Sequence, residues 1–378
     1  MATTTLDRTK VTALLDRARR EIDQGLLPGC QVALALDGEV VVSEAFGDAT
    51  TDTRFVAFSC TKAPVASVMW QLIAEGKVSP DDRVADHIPT FASNGKDVVT
   101  VEQVMLHTSG FPYAPLGDPA WRTREGRQAK FADWRLSWEP GTRFEYHATS
   151  AHWVLAELIE IHTGIPYNDA LQQRVTDPLG LPRILGVRQD DGGGPIAELV
   201  VVGELPTPEA IEAAFGVRID LSLLISAETS SASLVGLNAP EAQELGIPGG
   251  GGVMRATDLA LFYQGLLHNP GDLWEPALLA DVTSRVRNSF PDMLGTPANR
   301  SLGLVIAGDD GHSNLRGMGR TVSPRAFGHN GAGGQIAFAD PATGLSFVYF
   351  TNGLDEDMLR QARRGTALAS LAAACVTG

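Results

Sequence analysis

A stretch of twelve residues without a charged side chain, 63–74, follows directly after Ser59-Cys60-Thr61-Lys62. Its apolar residues recur with the i, i+3, i+4 spacing of a helix face that packs on a core. Ser59 is therefore expected at or near a helix start, where free backbone amides and the helix dipole favour a developing anion. Lys62, three residues on, can reach the serine oxygen and could activate it as a nucleophile. The same residues also fit an ordinary serine cap followed by an exposed lysine.

The composition is that of a large globular protein. The chain has 378 residues, 44% of them hydrophobic and 20% charged, which is enough for a core shared by about two lobes. A net charge of −15 without a basic stripe disfavours nucleic acid and anionic membrane surfaces as partners. We expect a cytoplasmic protein, because the sequence contains no apolar run of about 18 residues and does not begin like a secretory signal.

Helix and strand patterns occur at both ends of the chain. An amphipathic helix is predicted at 7–24, and a hairpin signal at Asp37-Gly38 joins predicted strands 31–36 and 39–46. Towards the other end we predict strands at 302–307, 335–340 and 345–351 and a closing helix at 355–375. The helices predicted between them lie at 101–107, capped by Thr100 and Gln103, at 150–163, after Thr207, and at 257–267, capped by Thr257.

These patterns predict an α/β (α+β) fold with an antiparallel sheet made from strands of both chain ends. The sheet is expected to be flanked by the N- and C-terminal helices, with a helical lobe inserted into the chain. The predicted division is an α/β lobe from 1–78 and 226–378 and a mainly helical lobe from 79–225. Residues 190–245 match no motif.

Two further segments contain residue types that could act together with Ser59. Tyr146 immediately precedes a predicted helix, and a phenol beside a lysine ammonium has its anion favoured, so it could act as a general base. His329-Asn330-Gly331 is expected to start a strand, where glycine permits close approach and a strand amide can complete an oxyanion hole. Each segment alone also fits a half-buried core tyrosine or a glycine-rich turn.

Taken together, the motifs Ser59–Lys62, Tyr146-His147-Ala148 and His329-Asn330-Gly331 resemble those of a known superfamily. Their order and spacing are similar to the S-x-x-K, Y-x-N or Y-x-S, and K-T-G or H-x-G motifs of the class C β-lactamase and penicillin-binding-protein-like serine hydrolases. The branch that looks most similar is the family VIII carboxylesterases. The resemblance covers most of residues 25–355 and extends to 106–110, 138–141, 250–259 and 340–344.

The resemblance implies a role for each motif residue. Ser59 would be the acylated nucleophile, and Lys62 and Tyr146 would share the proton transfers, without a decision on which is the base. The amides of Ser59 and Ala332 would form the oxyanion hole, and His329 would orient Tyr146 or contact the substrate acyl group. The residues implied in substrate binding are His329, Asn330, Gly331 and Ala148. No cofactor or metal is implied.

Two departures from the family motifs favour esters over β-lactams. Ala148 stands where the family often has an asparagine, and a methyl group cannot bind a substrate amide. His329 lacks the permanent charge that a lysine offers a lactam carboxylate. We therefore expect a serine hydrolase acting on a small-molecule ester, with weak or no β-lactamase activity.

Other functions remain open to different degrees. A transacylase that passes the acyl group to an alcohol or amine is the main alternative, because pocket water and acceptor contacts decide between the two reactions. A D-amino-acid peptidase or amidase and a non-catalytic binding module are weaker alternatives. The histidines form no H-E-x-x-H motif and the glycines at 249–252 no G-x-G-x-x-G, which disfavours a metalloenzyme and a nucleotide site. His107 is interpreted as structural.

Overall fold

In the computed structural model, which describes residues 5–216 and 229–377, a six-stranded antiparallel sheet joins the two ends of the chain. Its strands, in spatial order, are β3 (Glu39–Gly47), β2 (Gly29–Leu36), β10 (Leu345–Thr351), β9 (Ile336–Asp340), β8 (Phe327–Gly328) and β7 (Val305–Ile306). Three short pairs lie outside it: β1 (Thr5–Leu6) with β12 (Val376–Thr377), β4 (Phe55–Val56) with β6 (Val253–Met254), and β5 (Val200–Val202) with β11 (Gly353–Asp355).

The helices of the described residues fall before, between and after these strands. They are α1 (Arg8–Asp23), α2 (Lys62–Ala74), α3 (Val84–His87), α4 (Val101–Met105), α5 (Arg124–Asp133), α6 (Ser150–Thr163), α7 (Tyr167–Leu171), α8 (Pro208–Phe215), α9 (Ser231–Val235), α10 (Pro240–Leu245), α11 (Ala256–His268), α12 (Pro276–Ser284) and α13 (Met358–Ala373). None of the helices in these two ranges is long and apolar enough to cross a membrane.

The central strands are buried on both faces, because helices cover the sheet from both sides. In β2, Val32 and Leu34 face one hydrophobic cluster, to which α1 and α13 contribute, whereas Ala33 and Ala35 face the other. The cluster that Ala33 and Ala35 face is the larger one and contains most of α2, α6 and α11. Strand β2 therefore consists almost entirely of apolar residues, as is typical of strands covered on both faces.

The predicted fold class is confirmed. Strands from both chain ends form one antiparallel sheet, and the predicted hairpin pairs β2 with β3. The capping box of Thr100 and Gln103 is present. The stretch after Lys62 differs from the prediction in one respect: residues 62–72 are all buried, not only one face of the helix.

Several predicted boundaries are wrong. The predicted helix 101–107 ends at Met105, and His107 has a left-handed φ of 58°. Helix α11 begins at Ala256, with Arg255 and not Thr257 as its cap. The cap lies two residues earlier than predicted because the Asp258 side chain accepts a hydrogen bond from the Arg255 amide at 2.9 Å. Only Val305–Ile306 of the predicted strand 302–307 pairs in the sheet.

The predicted lobe boundaries stay a prediction. The boundary between residues 225 and 226 lies outside the described residues, as do residues 1–4, on which the expectation of no leader partly rested. Between residues 79 and 216 the described elements are helices except for β5, in keeping with a mainly helical segment.

Candidate active site

Ser59 lies in a tight turn between a strand and the buried helix. Strand β4 leads into a 3₁₀ turn, Phe58–Thr61, which continues into α2. Phe58 has a φ of 46°, a left-handed conformation that bulky residues rarely adopt. Thr61 stabilises this turn, since its hydroxyl donates to the Phe58 carbonyl at 2.6 Å and accepts from the Gly252 amide at 3.0 Å. The strained backbone places Ser59, half-buried, at the wall of a cavity.

The Lys62 ammonium group is fully buried and contacts the serine. Its Nζ lies 3.2 Å from Ser59 Oγ, 2.7 Å from the Ala148 carbonyl oxygen and 2.5 Å from the Gly249 carbonyl oxygen. Burial lowers the pKa of Lys62, which favours the neutral amine. Two N–H bonds are committed to carbonyls, so in the neutral amine the remaining lone pair is directed at the Ser59 hydroxyl. Lys62 is thus placed to remove the serine proton.

The glycines at 249–252 let the main chain pass close to Lys62 and to the turn that carries Ser59. The sequence had suggested no local chemistry for them. A side chain at Gly252 would lie 2.6 Å from Thr61 Oγ1, and one at Gly249 would lie 3.1 Å from the Ala148 carbonyl. The first distance leaves no room for a Cβ, and the second is tighter than an ordinary contact. The glycines therefore allow a main-chain segment to approach both Lys62 and the nucleophile turn.

Tyr146 lies between Lys62 and Arg300. Its ring centroid is 5.0 Å from Lys62 Nζ and 5.3 Å from the Arg300 guanidinium carbon. Among the described residues, its buried hydroxyl has no hydrogen-bond partner. An unpaired buried hydroxyl is unfavourable by about 1–3 kcal/mol. A ligand oxygen in the cavity could supply the missing partner.

His329 does not have the position that the sequence indicated, and its predicted role of orienting Tyr146 stays a prediction. It follows β8 instead of starting a strand, and both ring nitrogens are occupied. Nε2 lies 3.1 Å from Arg300 Nη1, and Nδ1 lies 2.8 Å from the Asn330 carbonyl oxygen. Because a guanidinium can only donate, Nε2 must be the acceptor and Nδ1 carries the proton. His329 therefore has no free N–H for substrate, and its predicted substrate contact is not formed by either nitrogen.

Arg300 is the functional residue that the sequence analysis missed. Its guanidinium forms no ion pair within residues 5–216 and 229–377, and it lines the same cavity as Ser59. His329 itself carries no permanent charge, but Arg300 brings a cation to the same cavity. No local signal could have revealed Arg300, since its contacts, Phe144, Tyr146 and His329, are all distant in sequence.

The predicted oxyanion residues meet beside the nucleophile. Ala332 begins a 3₁₀ turn, Ala332–Gly334, and lines the cavity together with Ser59. Within the described part of the chain, neither main-chain amide donates to a carbonyl. Gly331 is required here because a Cβ would lie 2.5 Å from the Ala57 carbonyl oxygen. Two free amides at one cavity wall can stabilise a carbonyl oxyanion.

The Asn330 side chain and the Ala148 carbonyl oxygen both form hydrogen bonds within the protein. The Asn330 side chain accepts from the Ala337 amide at 3.0 Å and donates to the Gly317 carbonyl at 2.8 Å. It therefore stabilises the turn. Ala148 lines the cavity, and its carbonyl oxygen is an acceptor for Lys62.

Four buried histidines surround Tyr146 and Lys62: His107, His147, His152 and His329. Burial is the main cause of their low pKa, which is about 4 for His147 and well below the usual range for the others. A hydrogen bond of His147 is consistent with a neutral ring, since its Nε2 accepts from the Phe111 amide at 3.1 Å. These imidazoles are neutral at pH 7.

This arrangement predicts a loss of stability in mild acid. Below a pH of about 6.5 the unfolded chain binds protons that the folded histidines do not, so the free energy of unfolding falls as pH falls. For His147 the fall continues to about pH 4 at about 1.4 kcal/mol per pH unit. The free energy of unfolding, measured with urea between pH 7 and pH 5, should therefore fall less steeply with falling pH for His147→Gln than for the unchanged protein. The exposed His312→Asn is the matched control, and an unchanged slope in His147→Gln would contradict the assignment.

Comparison with known proteins identifies the family. The family model described as Beta-lactamase matches residues 13–371. The chain belongs to the beta-lactamase family. This match spans nearly the whole chain and confirms the superfamily that the three motifs indicated.

Individual members of the beta-lactamase family resemble the chain over most of its length. The esterase/beta-lactamase LipL of Mycobacterium tuberculosis is 28% identical over 352 residues, which cover 86% of this chain and 77% of LipL. A penicillin-binding protein homologue from Caulobacter crescentus has a TM-score of 0.77 at 27% identity, covering 99% of this chain and 100% of its own. A family VIII carboxylesterase structure has the same TM-score of 0.77 at 24% identity, with coverage of 99% and 100%.

The comparisons confirm that the chain is an enzyme of the beta-lactamase-like serine hydrolases. They leave the reaction and the substrate open, and the individual residue roles stay predictions. The structure nevertheless places Ser59, Tyr146 and Ala332 at one cavity, with the buried Lys62 in contact with Ser59, as those roles require.

Proposed function

We propose that this protein hydrolyses carboxylic esters through an acyl-enzyme formed on Ser59. The observation that carries the proposal is the position of Lys62, whose Nζ lies 3.2 Å from Ser59 Oγ and hydrogen-bonds two carbonyl oxygens. A serine needs an adjacent base of this kind. The substrate partner would be a small-molecule ester, and we propose no nucleic-acid or membrane partner for a chain of net charge −15.

In acylation, Lys62 would accept the hydroxyl proton as Ser59 Oγ attacks the ester carbonyl. The developing oxyanion would be stabilised by the amides of Ser59 and Ala332. Tyr146 would donate its proton to the departing alkoxide, because its hydroxyl is otherwise unpaired. Lys62, 5.0 Å from the Tyr146 ring, would then return a proton to the phenolate, which restores both groups.

In deacylation, water would take the position of the alcohol. Tyr146 or Lys62 would accept the proton of the attacking water, and the same two amides would stabilise the second oxyanion. Collapse releases the acid and returns the proton to Ser59 Oγ. Arg300 would act by holding His329 beside Tyr146 in one tautomer.

The preference for esters over β-lactams now depends on Ala148 alone. A methyl group there offers no hydrogen bond to a substrate amide. The argument from missing charge no longer holds, because Arg300 supplies a cation. Among the relatives, the name of LipL includes both esterase and beta-lactamase, and the structure of EstCE1 is described as a hydrolase with promiscuous acyltransferase activity.

Trapping the covalent intermediate tests the proposal. The protein is mixed with p-nitrophenyl butyrate, quenched in acid within the first turnover, digested and analysed by mass spectrometry. We expect a butyryl mass increase on the peptide that contains Ser59, together with a burst of nitrophenol. Repeating the reaction with an added alcohol or amine and identifying the products separates hydrolysis from acyl transfer. Turnover with the acyl group on another residue, or with none bound, would contradict the proposal.

A further inference from the structure

Two chemically different groups stand out among the residues that line the cavity beside Ser59, which also include Trp121, Trp153, Asp118 and Glu241. Tyr146, Arg300 and His329 contact one another and form a polar, cationic group. The second group is apolar and belongs to one hydrophobic cluster, whose members at the cavity include Phe58, Leu234, Leu237, Ala242 and Ile247. Ala332 packs against this same cluster. The apolar group therefore adjoins the proposed oxyanion turn.

The apolar group comes mainly from the segment that matches no sequence motif. Helix α9, a turn at Gly236–Asn238 and helix α10 follow one another here. Asn238 fixes the segment to the neighbouring chain: its side chain accepts from the Leu199 amide at 2.8 Å and donates to the Leu199 carbonyl at 3.0 Å. Gln243 closes the turn with a 2.9 Å bond to the Leu237 carbonyl. This is an anchored surface with a defined shape.

The reaction chemistry decides which part of an ester meets each group. The departing alcohol must take a proton, so it has to lie beside Tyr146. The oxyanion points to the amides of Ser59 and Ala332. The fourth substituent of the tetrahedral carbon, the acyl chain, is left to point away from Tyr146, and the apolar cluster offers it a surface.

We propose that residues 231–247 form an acyl-binding wall that selects esters with a bulky apolar acyl group. This inference rests on the proposed function. The cavity has a volume of about 810 Å³, near the upper end of the 300–1,000 Å³ that is usual for ligand pockets. An acetyl group would fill little of it. Each methylene group transferred from water to an apolar surface improves binding by up to about fourfold.

A chain-length series tests the wall. We expect kcat/KM to rise about two- to fourfold per methylene group from p-nitrophenyl acetate to the hexanoate. Ala239, an exposed residue that lines the cavity, is replaced by tryptophan to fill the space without disturbing the core. Ala239→Trp should lower the ratio of hexanoate to acetate activity by about tenfold or more. Ala232→Trp, in the same segment but outside the cavity lining, should leave the ratio unchanged.

The wall would be overturned by activity that does not rise with acyl length, by a ratio that Ala239→Trp leaves unchanged, or by an equal change in Ala232→Trp. A preference that depends on the length of the alcohol in a series of acetate esters would also overturn it. Ser59→Ala, assayed with both esters, separates this failure from failure of the proposed function. Turnover that survives in Ser59→Ala counts against the proposed function whatever the profile. If activity does not change with acyl length and Ser59→Ala removes that activity, the result counts against the wall alone.

Discussion

Replacement of Ser59 by alanine is expected to lower kcat for a simple ester by roughly 10⁴-fold or more, a loss typical of nucleophile removal. Without the hydroxyl no acyl-enzyme can form, although the oxyanion amides remain. The fold should not change, because the Ser59 side chain is half-buried and its contact is with Lys62. Steady-state kinetics with p-nitrophenyl butyrate give the effect, and thermal unfolding gives the stability.

Ser67→Ala is the matched control on the helix that follows. Its hydroxyl is buried and donates to the Pro64 carbonyl at 2.7 Å, so its removal should affect stability by about 1 kcal/mol and activity little. Near-normal activity in Ser59→Ala would remove Ser59 from the reaction. Equal losses in the two variants would indicate that the helix, not the nucleophile, had been disturbed.

Tyr146→Phe is expected to lower kcat by about 10²–10⁴-fold while leaving stability unchanged or slightly higher. The first effect is typical of losing a general acid or base. The second follows because the deleted hydroxyl is buried without a hydrogen-bond partner among the described residues. Tyr167→Phe should behave in the opposite way. Its hydroxyl donates to the carbonyls of Leu245 and Gly246, so this change should lower stability and largely spare kcat.

The same logic extends to Lys62. Lys62→Ala should also lower kcat by about 10²–10⁴-fold, and it should destabilise the fold because two buried carbonyls lose their donor. If Lys62 and Tyr146 form one proton relay, the double variant should lose far less than the product of the single losses. Losses that multiply would instead indicate two independent roles.

The sequence predicted features whose cause is local. The pairing of Ser59 with Lys62 follows from helical spacing, and the hairpin at Asp37-Gly38 follows from turn chemistry. The approach of Tyr146 to Lys62 was expected only through the family resemblance, because nothing near Tyr146 in the sequence specifies it. Boundaries failed where a side chain changed the local preference, as Asp258 does at the start of α11.

The contacts that the sequence could not reveal are those that join distant segments. Arg300 is an ordinary charged residue in its own stretch, and only the fold places it between Phe144, Tyr146 and His329. The left-handed Phe58 is another such case, since its conformation depends on the hydrogen bond between Thr61 and Gly252. Backbone strain of this kind is often found at functional sites.

The pairing of β2 with β10 has a consequence for synthesis in the cell. Thr351 donates a hydrogen bond to the Gly29 carbonyl, and the two residues are 322 positions apart. Strand β2 therefore lacks its neighbour β10 on one side until residues 345–351 have been synthesised. The cluster on one face of β2 also stays incomplete, because α13 contributes to it and follows β10 in the chain. Incompletely covered apolar surface makes nascent chains prone to aggregate. Completion of the sheet thus depends on a strand that contributes no reacting atom.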